Sequence, residues 1–285
     1  MRFLVLGAGG MAGHMVTIYL TERGHDVTGF SRKPLPFCPC IVGDVTHFEQ
    51  LNKLIQKGEY DVVINCIGLL NQFAENQKEQ AVYVNAFLPH FLADITRCSQ
   101  TQIIQMSTDC VFSGFKGNYT EEDIPDGQTF YDRTKALGEL KNDKNLTFRN
   151  SIIGPDMHES GIGLLNWFMR QKNTITGYTG VKWNGLTTLE LAKIMESAVA
   201  QKAKGLHQIV YDQPISKFHL LQLCNRYLKD DALTIIETDH PVSDKSLIRT
   251  THADFEYTVP DYDTMIRELT QWIREHKGLY PHYEQ

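Results

Sequence analysis

Short apolar runs of strand length alternate with longer stretches of helical spacing over the first 150 residues. The spacing predicts strands at 3–6, 26–30, 40–42, 61–65, 102–106 and from 146, and helices at 11–23, 48–57, 79–99 and 129–141. Strands that alternate with helices indicate a parallel sheet with helices on both faces. We therefore predict an α/β fold with a doubly wound parallel sheet, whose ligands bind beyond the carboxyl ends of the strands.

The alternation ends near residue 150. Beyond it the spacing predicts helices at 164–171, 187–200, 218–228 and 262–275, a strand at 207–211 and a polar loop at 239–246. We divide the chain into a first domain, residues 1–150, and a smaller α+β region, residues 151–285, that binds the substrate. Part of 185–202 is expected to pack on the sheet of the first domain.

Composition and charge narrow the classes of partner. The 285 residues carry a net charge of -6, whereas a nucleic-acid or anionic-membrane partner would require a basic face, so neither is expected. No apolar run approaches the ~18 residues of a membrane span, and the N-terminal run is too short for a signal peptide, so we expect a cytoplasmic protein. The cysteines and histidines lack zinc-ligand spacing, and no metal site is predicted.

A glycine triplet follows the first predicted strand and opens the first predicted helix. Gly7 permits the tight turn, Gly10 lets the backbone approach a pyrophosphate, and Gly13 allows close packing of helix and strand. Free N–H groups and the dipole of the helix favour an anion at this point. The context predicts that residues 1–150 are a Rossmann-type dinucleotide-binding domain.

The second predicted strand ends at Phe30 and is followed by Ser31, Arg32 and Lys33, with no acidic residue to hold a ribose 2′-hydroxyl. Arg32, together with Ser31 and Lys33, can bind a 2′-phosphate through charge-assisted hydrogen bonds. A solvated basic turn is the other interpretation. The pattern favours NADP over NAD as cofactor.

Tyr131 and Lys135 stand four residues apart and share one face of a predicted helix. A phenol has a pKa of about 10, and a nearby ammonium lowers that pKa by favouring the phenolate. The preceding strand ends in Ser107 and Thr108, whose hydroxyl groups can hydrogen-bond a substrate carbonyl. Thr108 is the first candidate and Ser107 the second. We predict that Tyr131, Lys135 and Thr108 form one catalytic site.

The sequence resembles the extended short-chain dehydrogenase/reductases, and within them the dTDP-4-dehydrorhamnose reductase group. The shared motifs, within roughly residues 1–150, are Gly7-x-x-Gly10-x-x-Gly13, Ser107-Thr108-Asp109-Cys110-Val111-Phe112, Tyr131-x-x-x-Lys135, Gly138-Glu139, and Val84-Asn85-Ala86 with Pro89 and Leu92. The resemblance implies hydride transfer to the keto carbon of a nucleotide-linked deoxysugar, in the synthesis of cell-surface polysaccharide sugars. Tyr131 would protonate the oxygen, Lys135 would lower the Tyr131 pKa and bind the nicotinamide ribose, and Thr108 would orient the carbonyl.

The resemblance also assigns the binding residues. It implies that Gly10 and Met11 contact the pyrophosphate, that Asp44 and Val45 contact the adenine, and that Cys66, Ile67 and Gly68 line the cofactor. Besides Thr108, the substrate is expected to contact Asp109, Ile152 and Asn184, the last because it lies at the expected edge of the substrate region. A homodimer is common in this superfamily and is expected here by analogy.

The chain departs from the group at two positions near the expected sugar. Ile152 replaces a tryptophan that borders the sugar pocket, and Cys110 replaces a tyrosine. A reductase for a different nucleotide-linked deoxysugar, such as an N-acetylated one, is an equal alternative. Two other hypotheses are an epimerase of the same superfamily and a non-catalytic NADP-binding regulatory subunit.

Overall fold

The computed structural model describes residues 1–251 and 255–283. Its strands are β1 Arg2–Leu6, β2 Asp26–Ser31, β3 Cys40–Val42, β4 Val62–Asn65, β5 Gln102–Met106, β6 Leu146–Phe148, β7 Ile152–Ile153, β8 Thr174–Tyr178, β9 Val181–Trp183, β10 Leu186–Thr187, β11 Gly205–His207, β12 Ile215–Ser216, β13 Thr234–Thr238 and β14 Ser243–Asp244. Its helices are α1 Met11–Glu22, α2 Phe48–Gly58, α3 Asn71–Asn76, α4 Lys78–Ala81, α5 Leu88–Ile95, α6 Phe130–Leu137, α7 Leu164–Met169, α8 Thr188–Ala200, α9 Lys217–Lys229 and α10 Tyr262–Glu275. No helix in the described part of the chain combines the length and the apolar character that crossing a membrane requires.

Within the described residues, seven parallel strands form one sheet in the order β11-β6-β5-β4-β1-β2-β3. The direction of winding reverses between β1 and β4, where Leu6 pairs with Phe30 on one side and with Asn65 on the other. A switch point of this kind opens a crevice at the carboxyl ends of the strands. The predicted doubly wound α/β fold is confirmed.

The sheet separates two apolar cores. Alternate side chains of β1 face opposite sides, so that Phe3 and Val5 belong to one core and Leu4 and Leu6 to the other. Helices α1, α8 and α10 cover the first face, and α2 and α5 cover the second. Burial on both faces explains why the strands read as continuous apolar runs.

The prediction of one regular helix at 79–99 is wrong in two respects, since the segment is not a single α-helix and ends earlier. It consists of α4, a π-helical segment Val82–Phe87 and α5, and it ends at Ile95. Pro89 has no N–H to donate to the carbonyl of Asn85, and the wider π-helical segment accommodates this break. The Asn85 carbonyl instead lies against Gly138, where an added Cβ would approach it to 1.9 Å.

The chain beyond β6 adds to the main sheet and also forms small sheets of its own. Strand β7 pairs with β10, β8 pairs with β13, and β9 lies between β12 and β14. Helix α8 packs against α1 and α10, and β11 then pairs with β6 at the edge of the main sheet. Residues 188–207 therefore share the core of the first domain.

Two predictions in this region are wrong. A strand was predicted at 207–211, whereas β11 begins two residues earlier, at Gly205, and ends at His207. Gly205, with a φ of 85°, turns the chain into the edge of the sheet. Ile209 and Val210 are buried without strand pairing. The loop predicted at 239–246 contains β14, which pairs with β9.

Candidate active site

The loop between β1 and α1 makes a tight turn at the switch point. Gly7 adopts a φ of +78°, and its amide donates to the Phe30 carbonyl at 2.9 Å. A Cβ on Gly13 would lie 2.1 Å from the Gly7 carbonyl oxygen. Only glycine therefore allows α1 to start this close to β1.

The start of α1 fits a pyrophosphate. Gly10 is the N-cap and provides no side chain to cap the helix, and the first turn holds no acidic residue. A Cβ on Gly10 would contact only the Gly7 oxygen, at 3.4 Å, so the other side of this residue is open. Met11, the first residue of α1, lies against Gly163. The helix dipole and the N–H groups of the first turn favour an anion here.

A buried histidine supports this turn from behind. His14 donates from Nδ1 to the Gly10 carbonyl at 2.9 Å and accepts at Nε2 from the Tyr280 hydroxyl at 2.8 Å. Burial lowers the pKa of His14, which keeps the ring neutral. No local sequence pattern predicts this contact, because the two residues are 266 positions apart.

The end of β2 presents two exposed cations, Arg32 and Lys33. Ser31 shapes this turn, since its hydroxyl donates to the Lys33 carbonyl and accepts from the Lys33 amide. Hydrogen bonds from Thr46 lower the pKa of Asp44, and Arg32 lowers it further. Asp44 is therefore an anion close to Arg32, beside the buried Val45.

The loop after β4 packs against the glycine turn. Cys66 donates its amide to the Leu6 carbonyl at 3.0 Å, and a Cβ on Gly7 would meet the Ile67 side chain at 2.9 Å. Burial raises the pKa of the Cys66 thiol to about 12, so the thiol remains neutral. Gly68 is exposed beyond this contact.

Asn85 fixes this loop to α6, the helix that carries Tyr131 and Lys135, a role that its motif did not reveal. Its Nδ2 donates to the Leu69 carbonyl at 2.9 Å and to the Thr134 hydroxyl at 3.1 Å, and its Oδ1 accepts from the Leu69 amide at 2.8 Å. A Cβ on Gly68 would lie 3.6 Å from Asn85 Oδ1 and 3.9 Å from Lys135 Nζ. The cofactor loop and α6 are thereby held together.

Helix α6 carries the tyrosine and the lysine. Thr129 and Asp132 form a reciprocal capping box that starts the helix, and Gly138 ends it three residues before the predicted limit. Tyr131 and Lys135 lie one turn apart, and both are buried. The close approach of Gly138 to the Asn85 carbonyl explains the early end.

The Tyr131 phenol lies beside the turn that follows β5. Burial raises its pKa above the ordinary range, and the nearby Thr108 hydroxyl acts in the opposite direction. The Tyr131 pKa is thus raised, whereas we expected Lys135 to lower it; the polar neighbours that act on it are Cys110, Thr108, Asp109 and Asp132. Tyr131 is a neutral phenol at neutral pH and can act as a proton donor.

Lys135 points to the end of β5. Its Nζ donates to the Met106 carbonyl at 2.6 Å, and burial lowers its pKa to about 8, while the Glu139 carboxylate acts to raise it. Its proximity to Gly68 places the ammonium between the ends of β4 and β5.

The two hydroxyl groups at the end of β5 have different partners. Thr108 donates to Asp109 Oδ1 at 3.1 Å and accepts from the Cys110 amide at 3.1 Å, close to Tyr131. Ser107 donates to Glu139 Oε1 at 2.7 Å and has no such contact with the phenol. Of the two candidates, Thr108 is the one that the structure places beside Tyr131.

The two substrate residues predicted in the second region, Ile152 and Asn184, have different surroundings. Ile152 is half-buried in β7, where it pairs with Leu186 and packs against the first core. Asn184 is buried, with Nδ2 donating to the carbonyl groups of Leu247 and Tyr211 and Oδ1 accepting from the Leu247 amide. The chain itself uses these polar atoms, and the contact of Asn184 with a sugar stays a prediction.

Residues 1–153 match the RmlD substrate binding domain family. The chain belongs to this family. It is therefore a member of the extended short-chain dehydrogenase/reductases, and the resemblance identified from the sequence motifs is confirmed.

Curated relatives of this RmlD-family chain match over about half its length. It is 36% identical over 143 residues to the probable low-salt glycan biosynthesis reductase Agl14 of Haloferax volcanii, covering 49% of this chain and 48% of the relative. It is 35% identical over 140 residues to a dTDP-4-dehydrorhamnose reductase of Streptomyces griseus, covering 48% and 43%. The chain thus spans about half the length of these relatives.

Solved structures match over nearly the whole fold. A hypothetical dTDP-4-dehydrorhamnose reductase from Sulfolobus tokodaii has a TM-score of 0.77 and 25% identity, covering 92% of this chain and 98% of that one. A dTDP-4-dehydrorhamnose reductase from Bacillus anthracis in complex with NADP has a TM-score of 0.80 and 17% identity, covering 95% and 99%. The second likeness concerns the fold alone.

Proposed function

We propose that this protein uses NADPH to reduce a keto group at C4 of a nucleotide-linked deoxysugar, in the synthesis of cell-surface polysaccharide sugars. The observation that carries the proposal is the meeting of Thr108, Tyr131 and Lys135 at the carboxyl ends of β4 and β5. The names of the relatives support it, since they include dTDP-4-dehydrorhamnose reductases and a spore coat polysaccharide biosynthesis protein of Bacillus subtilis.

The catalytic residues stabilise the charge that develops on the carbonyl oxygen. NADPH, when bound, supplies the hydride to the keto carbon. The Tyr131 phenol donates its proton to the oxygen, and the Thr108 hydroxyl holds that oxygen in place. The buried Lys135 ammonium lies behind them and stabilises the negative charge left on the phenol oxygen.

The crevice at the switch point would hold the cofactor. The pyrophosphate would lie on the turn at the start of α1, the adenine beside the end of β3, and the nicotinamide ribose beside Lys135. The residues that would make these contacts are Gly7, Gly10, Met11 and Gly13, then Asp44 and Val45, then Cys66, Ile67 and Gly68.

The exposed Arg32 supports a preference for NADP. A guanidinium can make charge-assisted hydrogen bonds to a 2′-phosphate, whereas a 2′-hydroxyl offers it no charge. Arg32→Ala should weaken NADPH binding about 10- to 100-fold and leave NADH binding unchanged. Titrations of both cofactors test this, with the exposed Arg97→Ala as the control. Equal loss of both cofactors would contradict the preference.

A homodimer is part of the proposal. Val82, Tyr83 and Phe87 are exposed on the long helix and form an apolar patch with Phe48. Sedimentation equilibrium should give twice the mass of the 32.5 kDa chain, and Phe87→Glu should give a monomer. A monomeric wild-type protein at micromolar concentration would contradict it.

Nicotinamide absorbance during reaction with a panel of 4-keto nucleotide sugars tests the activity. One sugar should oxidise NADPH, and Tyr131→Phe should remove that activity while the protein still binds NADPH. Tyr83→Phe is the matched control, because this exposed tyrosine lies outside the site. Tightly held NAD with no sugar-dependent oxidation of NADPH would favour the epimerase, and cofactor binding without any turnover would favour the regulatory subunit.

A further inference from the structure

A second lysine, remote in sequence from the Tyr131–Lys135 pair, is built into the second region. Lys217 is the first residue of α9, and Ser216 caps that helix by accepting from the His219 amide at 3.1 Å. Strand β12, just before it, pairs with β9 so that Ile215 is opposite Trp183. The Lys217 ammonium consequently lies 4.5 Å from the centroid of the Trp183 ring.

The Lys217 ammonium lies within electrostatic range of the turn that carries Thr108. The acidic groups that act on it are Asp109 and Cys110 of that turn, together with Cys224 of its own helix. Asp109 is bonded to Thr108, and Cys110 lies near the Tyr131 phenol. Lys217 therefore approaches the reactive end of the site from the second region.

Lys217 is half-buried, and its ammonium has no acceptor within the described residues. Burial lowers the pKa of Lys217 to about 8. No residue within 1–251 or 255–283 accepts a hydrogen bond from its Nζ or forms a close ion pair with it, and its near contact is the aromatic face of Trp183. The N–H groups of this ammonium are unused by the described residues, so an anion that enters the cleft can accept charge-assisted hydrogen bonds from them.

We propose that Lys217 binds an anionic oxygen of the substrate, supplied by the diphosphate of the nucleotide-linked sugar or by a carboxylate on the sugar. The proposal rests on the proposed function, because it takes the cleft above Tyr131 as the substrate site. The Lys217 cation there also offsets the Asp109 charge, which would otherwise repel such a ligand. No motif of the first domain indicates this residue.

Calorimetric titration of the NADP-loaded protein with dTDP and with UDP tests the diphosphate source. Lys217→Met keeps the apolar stem over Trp183 and removes the charge, Lys217→Arg keeps the charge, and Lys182→Met removes an exposed lysine of β9 as the control. If the diphosphate is the source, the Met variant should bind both nucleotides about 10- to 100-fold more weakly. The Arg and Lys182→Met variants should bind within about threefold of wild type, and NADPH affinity should be the same in every variant.

Measurements of KM test whether the anion is a carboxylate on the sugar. In that case Lys217→Met raises the KM of a keto-sugar nucleotide that bears a carboxylate. The KM of the neutral counterpart and the binding of dTDP and UDP stay unchanged. The proposal is overturned if Lys217→Met changes neither nucleotide affinity nor KM, or if wild type binds no nucleoside diphosphate and shows no carboxylate-dependent KM. Thermal melting checks folding, and the Met variant should keep its Tm, because its apolar side chain still packs against Trp183.

The same experiment separates this proposal from the proposed function. Lys217-dependent nucleotide binding without any sugar-dependent oxidation of NADPH would leave the Lys217 site standing and contradict the reductase. If the wild type reduces a keto-sugar and Lys217→Met is indistinguishable from it, the reductase stands and the Lys217 site is contradicted.

Discussion

The Glu139 carboxylate and the Arg149 guanidinium form a bidentate ion pair, with Oε1–Nε at 2.8 Å and Oε2–Nη2 at 2.6 Å, and both side chains are almost completely buried. Ser107 donates to the same carboxylate at 2.7 Å. The pair therefore joins the residue after α6, the end of β5 and the end of β6. These segments carry Lys135, Thr108 and the start of the second region.

Removal of one partner of this pair should destabilise the protein strongly. Glu139→Gln leaves the Arg149 guanidinium buried without its counter-charge, which should lower the free energy of unfolding by about 3–5 kcal/mol. Urea unfolding should show a lower midpoint with an unchanged slope. Asp26→Asn, which breaks the exposed pair with Arg2, is the control and should cost at most about 1 kcal/mol. Similar losses in the two variants would contradict a structural role for the buried pair.

The pH dependence of turnover should report the ammonium of Lys135. Lys135 is charged below its pKa of about 8 and neutral above it. The kcat/KM for NADPH should therefore stay level below about pH 8 and fall by about tenfold per unit above it. Because the Glu139 carboxylate raises this pKa, Glu139→Gln should move the fall to lower pH, in assays at a temperature where the variant is folded.

Lys217→Met is the control for this profile. Lys217 also has a pKa of about 8, but its proposed role concerns the substrate and not NADPH. The NADPH profile of this variant should keep its alkaline fall at the wild-type position. An alkaline fall that moves with Lys217→Met and not with Glu139→Gln would assign it to the other lysine.

The local pattern of apolar residues was sufficient to predict strands β1 to β6 of the main sheet, because burial on both faces produces continuous apolar runs. It was insufficient for β8 and β13, which pair with each other in parallel. Thr174–Tyr178 alternates exposed and buried positions, and Thr234–Thr238 is largely exposed, so neither segment has the apolar run of a buried strand. Their pairing partners are about 60 residues apart, which no short window detects.

The same limit applies to the site. The four-residue spacing of Tyr131 and Lys135 lies within one helix and is visible in the sequence. Lys217 reaches the site only through the pairing of β12 with β9. The bond of Asn184 to Leu247 could not be predicted, because the two residues are 63 positions apart. A polar residue near a cleft has the same sequence context whether it binds a ligand or the backbone of its own chain.

Substitutions of the glycines in the turn before α1 should distinguish packing of the helix from binding of the pyrophosphate. Gly13→Ala places a Cβ 2.1 Å from the Gly7 carbonyl and should lower both stability and NADPH affinity. Gly10→Ala meets only the Gly7 oxygen, at 3.4 Å, so the free protein should keep its Tm within about 2 °C while NADPH binding weakens at least about tenfold. Gly278→Ala, with open space around it, is the control. Unchanged NADPH affinity in Gly10→Ala would place the pyrophosphate elsewhere.

Asn85 and Asn184 offer a matched comparison, since both are buried and hydrogen-bond backbone groups. Asn85→Ala leaves the Leu69 amide and carbonyl without their partner and should cost about 1–3 kcal/mol of stability. Because Asn85 also holds the loop of Gly68 to α6, NADPH affinity should fall as well. Asn184→Ala should cost a similar stability with NADPH affinity and sugar KM unchanged. A raised sugar KM in folded Asn184→Ala would confirm Asn184 as a substrate contact. Unchanged NADPH affinity in Asn85→Ala would show that the Gly68 loop keeps its position without the Asn85 side chain.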